Sequence, residues 1–234
     1  MSWRPPRGRA LVLAAHPDDE TLGCGGAVVL HRLRGDPVKV VVVTDGAAGD
    51  PRGLYRARDY RELRRGEARR AARALGRPSL EFWGYPDGAL EDDAALRRRL
   101  RALLEAEAPA VVYRPAENDP HPDHRALARA FAAAAGPRPR FVDCRYEIGF
   151  LQRRPDALLD VGAAFGRKLA ALRLYRSQLR YRDYVKDAVF TGAARALMSP
   201  GASYAEAFAL RARIARLPKT DFGTEVSNER RAKT

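Results

Sequence analysis

Four histidines occur in the 234 residues, at positions 16, 31, 121 and 124, and three of them stand beside carboxylates. One cluster is His16-Pro-Asp-Asp-Glu20, the other Asp119-Pro-His-Pro-Asp-His124. These residue types suit a divalent metal. His16 and Asp19 lie three apart on one turn, and His124 comes from the second cluster. Two imidazoles and one carboxylate make an open catalytic zinc set, with a fourth position for a water whose pKa falls to about 7. Asp18 is then the spare carboxylate and natural general base. His121 is the spare imidazole, placed to steady a developing oxyanion or to protonate a leaving group. The competing readings are structural: acidic residues cap helix starts, and a His-x-x-His pair often decorates a helix surface. Two such clusters in one chain outweigh them. His31, mid-helix and without a carboxylate partner, reads as structural.

Both clusters need elements that bring them together. Ala10–Ala15 and the β-branched run Val38–Thr44 read as strands covered on both faces. Leu80–Trp83 and Ala110–Tyr113 read as two more. Helices fit Thr21–Leu33, Arg58–Leu75, Asp92–Glu107 and Pro122–Ala135, the second stopping at Gly76 with Pro78 beyond it. This alternation predicts a Rossmann-like, doubly wound α/β domain, a mostly parallel sheet with helices on both faces. In the strand order 3-2-1-4-5, strands one and four flank the switch point, and the crevice outside their carboxyl ends receives both clusters. Further on, strands are expected at Phe141–Phe150 and Ala157–Val161, and helices at Ala163–Leu179 and Tyr204–Leu217. One domain spans 1–217, and a polar tail read as flexible follows at 218–234. Gly23-Cys-Gly-Gly26 is not a G-x-G-x-x-G turn, and its acidic neighbours would repel a pyrophosphate. Its small residues instead predict close approach of the helix to strand one, with Cys24 packed inside. No G-x-S-x-G element marks a serine hydrolase.

Composition narrows the classes. At 46% apolar residues the chain is not a disordered tail protein, and two cysteines exclude a disulfide scaffold or a Cys-rich zinc module. No apolar run approaches the roughly 18 residues that span a bilayer. The arginine-bearing start imitates a signal peptide, but its apolar stretch is short and cleavage would remove the first strand, so a cytoplasmic location is expected. Lysine and arginine total 43 against 29 acidic residues, a net charge of +14. A basic polyanion-binding protein is therefore an alternative. The arginines are spread over most of the chain, however, which favours solvated helix faces over a nucleic-acid partner.

The paired motifs resemble the PIG-L/LmbE-like de-N-acetylases. His16-Pro-Asp-Asp-Glu20 with Thr21-Leu-Gly-Cys-Gly-Gly26, and His121-Pro-Asp-His124, carry the likeness. Thr44-Asp-Gly46, Arg64-Arg-Gly-Glu67, Tyr85-Pro-Asp-Gly88, Lys168-Leu-Ala170, Ser177-Gln178 and Tyr204-Ala-Glu-Ala-Phe208 resemble further landmarks. The resemblance implies an enzyme holding zinc, or another divalent ion, on His16, Asp19 and His124. Asp18 is the implied base, His121 the acid and oxyanion partner, Asp123 the residue orienting His121, and Arg64 a substrate contact. It implies removal of acetyl from an N-acetylglucosamine-type conjugate, a small amino-sugar substrate. An amidase cleaving a thiol-conjugate amide is the alternative on the same machinery. Asp119-Pro120 departs from the glycine- and tyrosine-containing turn of mycothiol-pathway members, and Tyr175 stands where many relatives have histidine. The membrane anchor of the eukaryotic glycolipid enzyme is not expected, and a homo-oligomer stays open.

Overall fold

The computed structural model describes residues 3–137, 139–148 and 155–211. Seven strands form one sheet in the order β3-β2-β1-β4-β5-β7-β6. β1 (Ala10–Ala14), β2 (Val38–Thr44), β3 (Ser79–Tyr85), β4 (Val111–Pro115) and β5 (Val142–Tyr146) run parallel. β7 (Ala205–Arg211) is antiparallel to both β5 and β6 (Ala157–Asp160).

β1 is apolar throughout because both of its faces are covered. Ala10, Val12 and Ala14 pack in a core with residues of α1 (Asp19–Leu33), α2 (Ala57–Ala74) and α5 (Gly162–Leu172). Leu11, Leu13 and Ala15 pack in a second core with α3 (Ala94–Glu107) and α4 (Pro122–Ala135). Each layer thereby removes large apolar areas from water, at about 25 cal/mol per Å². The Asp93 side chain caps α3 by accepting from Leu96 N at 2.7 Å, a contact worth about 1 kcal/mol.

The expected order of the first five strands and the neighbouring of β1 and β4 both hold. Three local expectations do not. The helix over Ala163–Leu179 is two: α5 ends at Leu172, and α6 covers Arg176–Leu179. The break lies where buried Glu67 accepts from Ser177 N at 2.9 Å and Ser177 Oγ at 2.6 Å, capturing the start of α6. The helix over Tyr204–Leu217 is a strand as far as described, Ala205–Arg211, and residues 212–217 lie outside the described residues, as does the 217/218 boundary. Its Ala-Glu-Ala composition suits helix, but the slot between β5 and β6 overrides that preference. The longer strand at Phe141–Phe150 is β5, with Gly149 and Phe150 outside the described residues. α7 (Tyr184–Ala196), capped by Asp183, is not anticipated by the sequence pattern.

Two details of α1 are also corrected. Its small residues make room for Tyr146 of β5 and for Val161 rather than for strand one. A Cβ on Gly23 would lie 2.4 Å from the Tyr146 ring, and one on Gly26 would lie 2.6 Å from Val161 Cγ1. His31 does have a carboxylate partner: its Nδ1 is 2.8 Å from Asp36 Oδ2, and its Nε2 is 3.0 Å from the Tyr113 hydroxyl. No described helix is long and apolar enough to cross a membrane.

Candidate metal centre and active site

β1 ends at Ala14, and the chain turns through His16 and Asp18 into α1. β4 ends at Pro115, and a short loop delivers His121 as the N-cap of α4. Because β1 and β4 are neighbours, residues more than a hundred apart in sequence share one cleft. His16 Nδ1 is 3.2 Å from His124 Nε2, His124 Nε2 is 3.1 Å from Asp19 Oδ2, and His16 Nδ1 is 3.4 Å from the same oxygen. Three donor atoms thus stand at the corners of a nearly equilateral triangle.

The far side of each ring determines what the near side offers. His16 Nε2 lies 3.1 Å from Asp123 Oδ2 and 3.0 Å from Asp87 Oδ1. His124 Nδ1 faces Asp119 Oδ1 at 3.0 Å, an ion-pair contact rather than a well-aligned hydrogen bond. These carboxylates favour the ring proton on their own side, leaving lone pairs on His16 Nδ1 and His124 Nε2, aimed at each other and at Asp19. Three buried lone-pair donors 3.1–3.4 Å apart repel unless a cation sits among them. The spacing matches donors about 2.1 Å from one ion, and carboxylate-backed imidazoles are the usual outer support of such a site. The donor set therefore fits a divalent metal.

The surrounding carboxylates also favour positive charge, here as protons, on the two rings. Burial lowers His124, but Asp19 and Asp119 outweigh it and raise it to about 9. Burial likewise opposes protonation of His16, yet Asp123, Asp19 and Asp87 hold its pKa well above the ordinary value. Asp19 is driven well below the carboxylate range despite burial, by His124 and then His16. The pocket has the charge balance of a cation site.

Asp18 occupies φ 121°, unusual for a residue with a side chain, and such backbone costs about 1–3 kcal/mol. Its N–H donates to Glu20 Oε2 at 3.1 Å, and Glu20 Oε1 accepts from Thr21 Oγ1 at 2.6 Å and from the Tyr175 hydroxyl. Arg64 Nη2 donates to Pro17 O, and to Asp18 Oδ2 at 3.2 Å. Gly46, at φ 67°, lets Pro17 approach, since a Cβ there would lie 2.8 Å from Pro17 Cδ. Burial pushes the Asp18 pKa up to about 8, against the pull of Arg64.

His121 Nδ1 accepts from Asp123 N at 3.2 Å, so its neutral ring carries the proton on Nε2. Burial, and then His16 and His124, lower its pKa, keeping it neutral near pH 7. His121 also belongs to a group with His16 and His124 whose ligand atoms lie within 4.8 Å of one another, as do His16, Asp87 and Asp123. Asp123, implied to orient His121, meets it through its backbone N–H, while its carboxylate goes to His16 and accepts from Gly88 N at 2.8 Å and Leu90 N at 3.1 Å. Arg64, implied to touch substrate, is only 2% exposed and is engaged with Asp18, but it is also among the residues lining the cavity.

A cavity of about 380 Å³ opens above these groups, with Gln178 of α6 and Arg182 and Tyr184, at the start of α7, among its lining residues. That suits a small ligand. The sequence reading missed Asp87 and Asp119 as partners of the histidines. Their positions at the ends of β3 and β4 are visible in Tyr85-Pro-Asp-Gly88 and Asp119-Pro-His121. α7 carries no local signal of its role.

Known proteins share the sequence and the fold that carry this cleft. The model of the PIG-L family, GlcNAc-PI de-N-acetylase, matches residues 11–135. A probable N-acetyl-alpha-D-glucosaminyl L-malate deacetylase 2 of Bacillus cereus is 29% identical over 182 residues, covering 72% of this chain and 82% of the relative. A 4-oxalmesaconate hydratase of Pseudomonas putida is 30% identical over 200 residues, covering 76% and 77%. The crystal structure of the conserved protein TT1542 from Thermus thermophilus superposes with a TM-score of 0.77 at 28% identity, covering 90% of this chain and 98% of that one. With both histidine clusters inside or at the start of elements that the family model spans, the chain belongs to the PIG-L family.

Proposed function

We propose that the protein is a zinc-dependent hydrolase that removes acetyl from the amine of an N-acetylglucosamine-type conjugate. The observation that carries the reading is the triangle of His16 Nδ1, Asp19 Oδ2 and His124 Nε2 at 3.1–3.4 Å on the floor of the cavity. His16, Asp19 and His124 would hold a zinc ion, and the Lewis acidity it would supply suits activation of a water and of an amide carbonyl. Asp18, in its ionised form, would take the proton from the attacking water, and Arg64 and Glu20 fix its side chain and backbone for the task. His121, neutral and carrying its proton on Nε2, donates to the oxygen on which negative charge develops. The water oxygen bonds to the carbonyl carbon, and the C–N bond breaks as the proton held by Asp18 passes to the departing nitrogen, so acetate and a free amino sugar leave.

Deacetylase relatives support the amide substrate. The 30% identity to a hydratase supports a second reading, in which the same base adds water across a carbon–carbon double bond. The test is a panel of N-acetylglucosaminyl conjugates, including inositol-, malate- and lipid-linked ones, assayed with zinc-loaded protein for liberated primary amine, beside 4-oxalmesaconate assayed for hydration. Amine release with no hydration supports the deacetylase. Hydration with no amine release overturns it.

A further inference from the structure

Two of the sequence landmarks, Lys168-Leu-Ala170 and Tyr204-Ala-Glu-Ala-Phe208, have no part in the chemistry above, and both send a charged side chain into α1. The helix is interrupted at Cys24, where the backbone leaves helical geometry at φ −147°, ψ 24°. In an unbroken helix the Gly26 N–H would donate to the Leu22 carbonyl. Here Gly26 N donates to Glu206 Oε1 at 2.7 Å and Ala27 N to Glu206 Oε2 at 2.9 Å. The Leu22 carbonyl accepts instead from Lys168 Nζ at 2.9 Å, and Lys168 Nζ closes the circuit on Glu206 Oε1 at 2.7 Å. An ion pair is inserted into the helix ladder.

The charges are signed to fit. The first turn, Asp19–Gly23, ends on a cation, and the long second segment begins on an anion, each complementing the local peptide dipoles. The insertion needs Gly25 and Gly26: a Cβ on Gly26 would lie 3.0 Å from Glu206 Oε1, and one on Gly25 would lie 3.3 Å from Lys168 Cγ. Both charged side chains are nearly inaccessible, Lys168 at 3% and Glu206 at 1% exposure. A buried pair of this kind contributes little net stability, because desolvation offsets its attraction. Its more specific product is the freedom of the first turn to take its own direction.

We infer that Lys168 and Glu206 are positioning residues for the metal centre, acting through the break in α1 to aim Asp19 at the ion. The inference rests on the metal reading of the site. β7, the strand that local composition disguises as a helix, carries Glu206 to the break in α1.

The test measures zinc affinity by competition with a chromogenic chelator, in wild type, Lys168→Met and Glu206→Gln, with Leu103→Ala in the opposite core as a destabilised control. The two positioning variants should bind zinc about 10–100-fold more weakly, the scale seen when outer support of a ligand is lost, while the control keeps the wild-type affinity. Equal affinity in folded Lys168→Met and Glu206→Gln overturns the inference. Amide hydrogen exchange in the wild type reads the same coupling without a variant, because linkage is reciprocal: zinc should slow exchange of the Gly26 and Ala27 amides. Exchange there that ignores zinc also overturns it. Wild-type protein that binds no zinc would instead remove the metal centre, and the inference with it.

Discussion

Asp123 accepts its ring contact from His16, at 3.1 Å from Nε2, and not from His121 two residues before it in the chain. The carboxylate crosses from α4 to the turn after β1, so it braces a proposed metal ligand while the Asp123 backbone N–H donates to His121 Nδ1. With Asp87 on the same ring nitrogen at 3.0 Å, His16 is backed by two anions, which makes its Nδ1 lone pair a stronger donor.

Replacing Asp123 by asparagine should therefore weaken zinc binding, by about 10–100-fold, before anything else changes. Chelator competition checks it. Undiminished affinity with reduced kcat alone would return Asp123 to the role of orienting His121.

Asp18→Asn should keep the metal and lose roughly 10²–10⁴-fold in turnover, the scale of a positioned general base. The amide preserves shape yet cannot take the proton. Arg64→Met should act in the same direction, lowering kcat with little change in KM, because Arg64 reaches Asp18 at 3.2 Å. A raised KM with kcat intact would make Arg64 a substrate contact.

Much of this was legible from local sequence. His16-Pro-Asp-Asp-Glu20 announces its chemistry in five residues, and the strand–helix alternation places it beside His124 without coordinates. What escaped depends on partners distant in the chain. Ser177 breaks a helix because Glu67, 110 residues away, captures its N–H. Glu206 sits in a strand because β5 and β6 leave a slot and α1 offers two free N–H groups. Asp87 is plain in Tyr85-Pro-Asp-Gly88, yet only the register of β3 beside β2 brings it to His16.

His121→Ala should retain zinc and lose about 10²–10³-fold in kcat, as removal of an oxyanion donor does. Its Nδ1 is occupied as a helix cap, so Nε2 carries the proton and donates. Metal content of the purified variant decides it. Zinc lost in proportion to activity would make His121 a ligand.

His31 predicts a pH effect on stability away from the site. Burial lowers its pKa and prevails over the Asp36 carboxylate that opposes it. The unfolded chain binds a proton here near the ordinary value of about 6.5, while the folded chain stays neutral. Stability from this position is complete above that pH and is lost as pH falls through it toward the lower folded value. His31→Gln should lose less unfolding free energy than wild type between roughly pH 7.5 and 5.5, measured by urea titration. Equal losses would contradict the sign.

The most direct measurement is zinc stoichiometry by plasma mass spectrometry, beside amine release, in wild type and in His16→Ala, Asp19→Ala and His124→Ala. Each variant removes one of the three proposed protein ligands, so each should lose both bound zinc and activity while wild type holds about one ion per chain. Full zinc occupancy in all three variants would contradict the account.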